Sequence, residues 1–326
     1  MPTGPFCRLV YALMTLSQLE YIVAVDTYRH FATAADNCHV TQPTLSMQIQ
    51  KLEDELGIRV FDRSKQPVVP TGVGEAVLAQ AREVLRAARR IPEIVSESKN
   101  DFQGDLKIGV IPTLAPYLLP YFIGEFVSKY PAVSVQIQEL VTEQIVERLR
   151  KGLLDVGLVV TPLDENGITE IPLFREPFVV YAADSHPLSA RTQIHTDDLP
   201  TDGLWLLTGG HCLRNQVISV CGTDRPANAT NALQYETGSL ETLIKLIDRQ
   251  DGFTLLPFLA TLDMDETRRA RIRPFASPAP VREVSLIIHR SFLKRRLIDA
   301  LRTEILQHLP ADLSVDTHDG TVVTLV

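Results

Sequence analysis

The chain is short of cysteine, of long apolar runs and of positive charge, and each shortage removes a class of protein. Four cysteines in 326 residues cannot make a disulfide scaffold. No apolar stretch approaches the roughly 18–20 residues that span a bilayer, so no membrane partner is expected. A net charge of −8 argues against a nonspecific nucleic-acid coat protein. It leaves room for a sequence-specific DNA binder whose acidity lies in another domain. A secretory signal is poorly supported, because Met1–Leu13 carries one basic residue, Arg8, and only a short apolar run. Met14 is expected as the biological start, with the leader as an upstream extension, and the protein is expected in the cytoplasm. No internal repeat or low-complexity tract is present. Hydrophobic and charged fractions of 45% and 22% fit an ordinary globular chain, long enough for two or three domains with cores of their own.

The pattern changes along the chain. Up to Pro70 the apolar residues recur at helical spacing: Leu16, Leu19, Ile22, Val23 and Val25, then Phe31, Ala34, Ala35 and Cys38. Gly74–Ser98 is a single amphipathic stretch (Val77, Ala81, Val84, Leu85, Ala88, Ile91) whose narrow apolar face suits pairing with a copy of itself. Pro92 is expected to end or bend it, and Ser96–Gly104 reads as a hinge. From Leu106 onward β-branched runs alternate with amphipathic segments. The predicted strands are Leu106–Ile111, Val133–Glu139, Val156–Val160, Phe178–Ala182, Phe253–Leu256 and Val284–His289. The predicted helices are Tyr117–Lys129, Glu143–Lys151, Leu240–Asp248 and Phe292–Leu309. Alternation of this kind points to α/β architecture with largely parallel sheets. The expected domains are 14–71, 72–103, 104–310 and a patternless tail, 311–326.

Phe31–Leu56 carries the strongest motif. Ala32, Ala34 and Ala35 keep one helix face small enough for a second helix to cross closely. After a break at Cys38–Val40, Thr41 can cap a new helix and Pro43 sits where an early-helix proline is tolerated. That helix opens with Gln42, Pro43, Thr44, Ser46, Gln48 and Gln50, which carry no charge and include side chains able to hydrogen-bond base edges. Lys51 follows, while Leu45, Ile49 and Leu52 face inward. Val60, Phe61, Val68 and Val69 can form a two-stranded wing with Arg59, Arg63 and Lys65 placed for phosphates. From Met14 to Pro70 five basic residues face seven acidic ones, so affinity must come from local placement and dimerisation. A small helical dimerisation domain without DNA contact is the alternative.

The run Leu16–Arg63, with Phe31, Ala34, Ala35, Thr41, Gln42, Pro43, Leu45, Ser46, Ile49, Leu52, Glu53, Leu56, Gly57, Phe61 and Arg63, resembles the N-terminus of LysR-type transcriptional regulators. Thr71, Gly72 and Gly74 match the start of their linker helix. The resemblance extends from Met14 to about Pro310. It implies an all-α winged helix-turn-helix, a dimerising linker helix and a two-subdomain effector domain similar to periplasmic binding proteins. It also implies assembly as dimers or tetramers on paired half-sites of double-stranded promoter DNA.

Cys212 and Cys221 are the second informative feature. Gly209-Gly210-His211-Cys212 can set Cys212 at a helix N-terminus, where the dipole and His211 or Arg214 would favour the thiolate. A thiolate attacks peroxide, and the sulfenic acid formed can be captured by a nearby thiol. If the intervening segment is helical, the two Cα atoms lie roughly 13 Å apart, against roughly 4.4–6.8 Å in a disulfide, so bonding would require refolding. Core packing of Cys221, a zinc set with His211 lacking a recognisable fourth ligand, and an incidental pair remain open alternatives.

Gly-His-Cys-Leu-Arg with a cysteine nine positions on resembles the hydrogen-peroxide sensors within the same family. The run Ile111, Pro112, Thr113, Pro116–Pro120, and Ser239–Leu243 with Phe253–Pro257, carry the resemblance further. It implies that Cys212 is the peroxidatic and Cys221 the resolving cysteine. It also implies that Thr113, Thr142, His211 and Arg282 form the peroxide pocket, and that a reductant of glutaredoxin or thioredoxin type resets the disulfide. Without the resemblance, each threonine reads as a cap or turn residue. No cofactor or metal is expected. A regulator gated by a small organic effector, a thiol peroxidase and a solute-binding protein are the competing functions.

Overall fold

The computed structural model describes residues 14–98, 102–200, 202–222, 237–290, 295–313 and 320–323. The leader with Cys7, the centre of the expected hinge and most of the tail lie outside the described residues. The chain divides into two compact units, Met1–Asp101 and Phe102–Val326.

In the first unit, α1 (Leu16–Tyr28) begins with a capping box in which Thr15 and Gln18 satisfy each other's backbone N–H groups. After α2 (Phe31–Asn37), α3 (Gln42–Leu56) starts at the Thr41 cap, carries Pro43 in its first turn and stops at Gly57 in the left-handed region, φ 69°. Leu19, Ile22 and Val25 meet Ala34, Ala35, Leu45, Ile49 and Leu52 in one core. The strands β1 (Phe61–Asp62) and β2 (Val69–Pro70) pair antiparallel as the wing. The long helix α4 (Gly72–Ser98) adds Leu78, Ala81 and Leu85 to the same core. Its start is fixed by Gly74, where a Cβ would lie 2.0 Å from the Val60 carbonyl oxygen, so only glycine fits. Of the two effects expected of Pro92, ending does not occur: the helix runs on to Ser98.

The second unit alternates strands and helices: β3 (Gly104–Val110), α5 (Ala115–Lys129), β4 (Val133–Glu139), α6 (Thr142–Lys151), β5 (Val156–Thr161) and the long β6 (Ile168–Ala182). Then come α7 (Cys212–Cys221), α8 (Leu240–Ile247), β7 (Phe253–Pro257), α9 (Glu266–Arg269), β8 (Ile272–Pro274), β9 (Pro280–His289), α10 (Arg295–Gln307) and β10 (Thr321–Val322). The sheet order is β4-β3-β5-β9-β6-β7, with β10 beside β9 and β8 beside β6. Among the described strands, β3 with β4, β3 with β5 and β9 with β10 pair parallel; β5–β9, β6–β9, β6–β7 and β6–β8 are antiparallel. The largely parallel sheet expected from alternation therefore holds for the first subdomain alone. The reason is β6, which pairs β9 through Ile168–Pro177 and then β7 through Phe178–Ala182, tying the two subdomains together with one strand.

Candidate functional site

Parallel strands β3 and β4 deliver two short connections at their carboxyl ends, the edge at which open α/β sheets bind ligands. Thr113 lies in the first, just before α5, and is buried. Thr142 is the first residue of α6. It does not cap that helix, because Val141 holds the cap position with no side-chain hydrogen bond. Its hydroxyl is buried with no aligned hydrogen-bond partner among the described residues, and it lies close enough to Cys212 to draw that thiol toward ionisation. Short of a well-aligned partner, that buried hydroxyl keeps hydrogen-bonding capacity for a ligand oxygen beside the sulfur.

Cys212 is the first residue of α7, behind the cap residue His211. Burial pushes its thiol up from the ordinary range, while the Arg282 charge, Thr142 and the Leu213 backbone N–H pull it down and Glu143 opposes them. The expectation of a thiolate favoured by His211 or Arg214 is not met. Burial holds the His211 pKa below its ordinary value, leaving the ring neutral near pH 7. Arg214 donates to the Leu207 carbonyl oxygen at 2.9 Å. The cation acting on the sulfur is Arg282, fully buried on β9, whose Nη1 and Nη2 donate to the Thr113 hydroxyl and carbonyl oxygens, each at 3.2 Å. Thus Thr113 is bound to Arg282, and Arg282, Thr142 and Cys212 converge. His211 precedes Cys212 in the chain and lies against Gly238, its Nε2 2.9 Å from where a Cβ there would stand.

Cys221 closes α7 and is a free, half-buried thiol that burial raises to about 12. With Cys212 and Cys221 at opposite helix ends, His211 and the two thiols do not gather as a zinc set, and no metal-holding cluster occurs among the described residues. Sequence reasoning missed Glu176, a buried carboxylate paired with Arg282. Its only signal was an Arg175-Glu176 pair set between the apolar residues Leu173, Phe174 and Phe178.

On α3, Thr41, Gln42, Pro43, Gln50 and Lys51 are exposed, with Thr44, Ser46 and Gln48 half-buried among them. Gln48 accepts from Gln18 Nε2 at 3.3 Å, and the Thr41 and Thr44 hydroxyls share a hydrogen bond of 2.8 Å. The wing residue Lys65 is exposed. Arg59 and Arg63 were expected to serve phosphates; both also bind the buried carboxylate of Glu53, at 3.0 and 3.2 Å. Glu53 additionally accepts from the Val60 and Phe61 N–H groups, so it staples the wing to α3. The sequence marks Glu53 as part of the family resemblance but does not reveal this role. Sequence reasoning also missed Met47, the exposed apolar residue at the centre of the helix face.

Comparison with known proteins agrees with both halves. The family described as "Bacterial regulatory helix-turn-helix protein, lysR family" matches residues 16–75, and "LysR substrate binding domain" matches 99–310. The chain is 37% identical over 274 residues to the "Hydrogen peroxide-inducible genes activator" of Haemophilus influenzae, covering 84% of this chain and 90% of that one. It is 37% identical over 274 residues to the "DNA-binding transcriptional dual regulator OxyR" of Escherichia coli K12, covering 84% and 89%. Among solved structures, a full-length OxyR variant from Pseudomonas aeruginosa is similar at 38% identity and TM-score 0.75, covering 90% of this chain and 97% of that one. A Corynebacterium glutamicum OxyR cysteine mutant, described as H2O2-bound, is similar at 31% identity and TM-score 0.59, covering 90% and 92%. Among the described residues no helix is long and apolar enough to cross a membrane.

Proposed function

The chain belongs to the LysR family of bacterial transcriptional regulators, and we propose that it is a peroxide-responsive activator of oxidative-stress genes that senses through Cys212. The observation carrying this reading is the Cys212 thiol at a helix N-terminus beside the Arg282 guanidinium and the buried Thr142 hydroxyl, which lacks a well-aligned partner. Those groups suit peroxide, which needs a thiolate to attack one oxygen and donors to stabilise charge on the other. The Cys212 thiolate attacks one oxygen, the O–O bond breaks, and hydroxide leaves a sulfenic acid. The Cys221 thiol then displaces water from that sulfur, forming the disulfide. Thr113, Thr142, His211 and Arg282 line the reacting pair.

Closing that bond unwinds α7, and the change alters how the protein binds promoter half-sites as a dimer or tetramer. Thr41, Gln42, Pro43, Thr44, Ser46, Gln48, Gln50 and Lys51 meet the major groove, with Arg59, Arg63 and Lys65 toward phosphates. One peroxide is consumed per switching event, and the helix-turn-helix unit, for which a turnover peroxidase has no use, makes the chain a receiver in the cytoplasm. A thiol reductant of glutaredoxin or thioredoxin type returns the disulfide to two thiols.

Promoter footprinting before and after hydrogen peroxide tests the proposal. Wild type changes its footprint and Cys212→Ser does not; a peroxide-dependent change in the Cys212→Ser footprint contradicts it.

A further inference from the structure

Glu176 and Arg282 face each other as directly paired residues of the antiparallel β6–β9 ladder. Both side chains are completely buried. Glu176 Oε2 accepts from Arg282 Nε at 2.7 Å and lies 2.7 Å from Nη2. The other carboxylate oxygen accepts from the Leu259 backbone N–H at 2.6 Å. The carboxylate is therefore fixed at both oxygens, and the guanidinium is clamped between it and Thr113. A guanidinium removed from water without a counter-charge is strongly destabilised, so the location of Arg282 depends on Glu176.

We infer that Glu176 is a positioning residue of the thiol site: it holds Arg282 against Thr113 and tempers the positive field that Arg282 projects onto the Cys212 sulfur. The inference rests on reading Cys212 as the reacting thiol. The charged and titratable groups acting on Cys212 are Arg282 from β9 and Glu143 from α6. Those on Arg282 are Glu176 from β6, Tyr117 from α5 and Cys212 from α7. The neighbouring His211 is influenced by Glu139 and Glu143. With Glu176 neutralised, a thiolate at Cys212 becomes the anion left to balance Arg282.

The test is alkylation of the full-length reduced protein by iodoacetamide across pH, read at each cysteine by peptide mass spectrometry. Glu176→Gln keeps the side-chain shape and removes the charge. It lowers the pH midpoint of Cys212 alkylation by about half a unit, equivalent to about threefold faster labelling at pH 7, because Glu176 acts on the sulfur through Arg282 and is not one of the charges bearing on it directly. Glu176→Asp keeps the charge but is a methylene too short to hold both Arg282 and Leu259, and lowers the midpoint by less. Cys221 and Cys38 serve as internal controls and do not shift. An unchanged Cys212 midpoint in the variants overturns the inference, as does a joint shift of all three cysteines, which marks general loosening. If Glu176→Gln does not fold, Glu176→Asp decides by the same criterion. Because no peroxide is used, wild-type Cys212 that labels as expected but resists peroxide sinks the sensor reading separately.

Discussion

Cys212 and Cys221 are the first and last residues of one helix, so ten residues of hydrogen-bonded backbone hold the two thiols apart. Nine helical steps span about 13 Å, whereas disulfide-bonded Cα atoms lie roughly 4.4–6.8 Å apart. Disulfide formation must therefore open α7, and the stability of that helix becomes part of the switch.

Substitutions that change helix stability should alter the resolving step with opposite signs. Ser219 is exposed in α7, and Ser219→Ala raises helix propensity by roughly 0.5 kcal/mol. It should slow disulfide closure about twofold. Gly222 ends the helix at φ 64°, where alanine costs roughly 1 kcal/mol. Gly222→Ala should speed closure about fivefold. Rapid-quench thiol trapping measures both; equal rates in the two variants would mean that unwinding does not limit the step.

Thr142→Val separates stability from reactivity. It removes a buried hydroxyl that lacks an aligned partner and keeps the shape, so thermal stability should hold or rise by up to about 1 kcal/mol. The rate constant for peroxide with Cys212 should nevertheless fall roughly 10- to 100-fold through loss of a stabilising donor. An unchanged rate removes Thr142 from the chemistry.

Peroxide reactivity should climb with pH. Burial holds the Cys212 thiol above its ordinary range, so its thiolate fraction rises about tenfold per unit between pH 6 and 8. His211 titrates below its ordinary value and is neutral throughout most of that window, so its deprotonation should impose no fall in rate. Stopped-flow kinetics that are flat or falling from pH 6 to 8 would contradict this ordering.

In the DNA-binding unit, Glu53→Gln breaks a buried carboxylate that serves Arg59, Arg63 and the Val60 and Phe61 N–H groups. The arginines left behind are 58% and 39% exposed and rehydrate, so the cost is that of weakened charge-assisted hydrogen bonds, roughly 1–3 kcal/mol. Thermal melts of the full chain should show the N-terminal transition lowered, with promoter affinity falling alongside it. A wild-type melt would show that Glu53 is dispensable to the wing.

The sequence made periodic and capped features legible. Thr41, Pro43 and Gly57 mark α3 within a residue, and the Gly-Gly-His-Cys run marks the start of α7. Strand Val133–Glu139 has the expected bounds. What escaped depends on long-range pairing. Alternation of strands and helices does not reveal that β6 runs antiparallel to β7, β8 and β9, or that β9 runs antiparallel to β5. The carboxylates Glu53 and Glu176 look in sequence like surface charges, and only the tertiary fold buries them against arginine. The Cys212 environment failed for the same reason: local dipole and neighbouring bases suggested a ready thiolate, while burial and a cation 70 residues away in sequence set the balance. Pro92 is a different case: it is expected to end or bend the helix, and a proline removes one N–H donor without ending α4.

Peptide mapping of the full-length protein after graded hydrogen peroxide tests the central claim most directly. Near-stoichiometric peroxide should yield a single Cys212–Cys221 crosslink that a thiol reductant reverses, leaving Cys38 reduced. Recovery of Cys212 and Cys221 as free thiols at doses that switch promoter binding would contradict it.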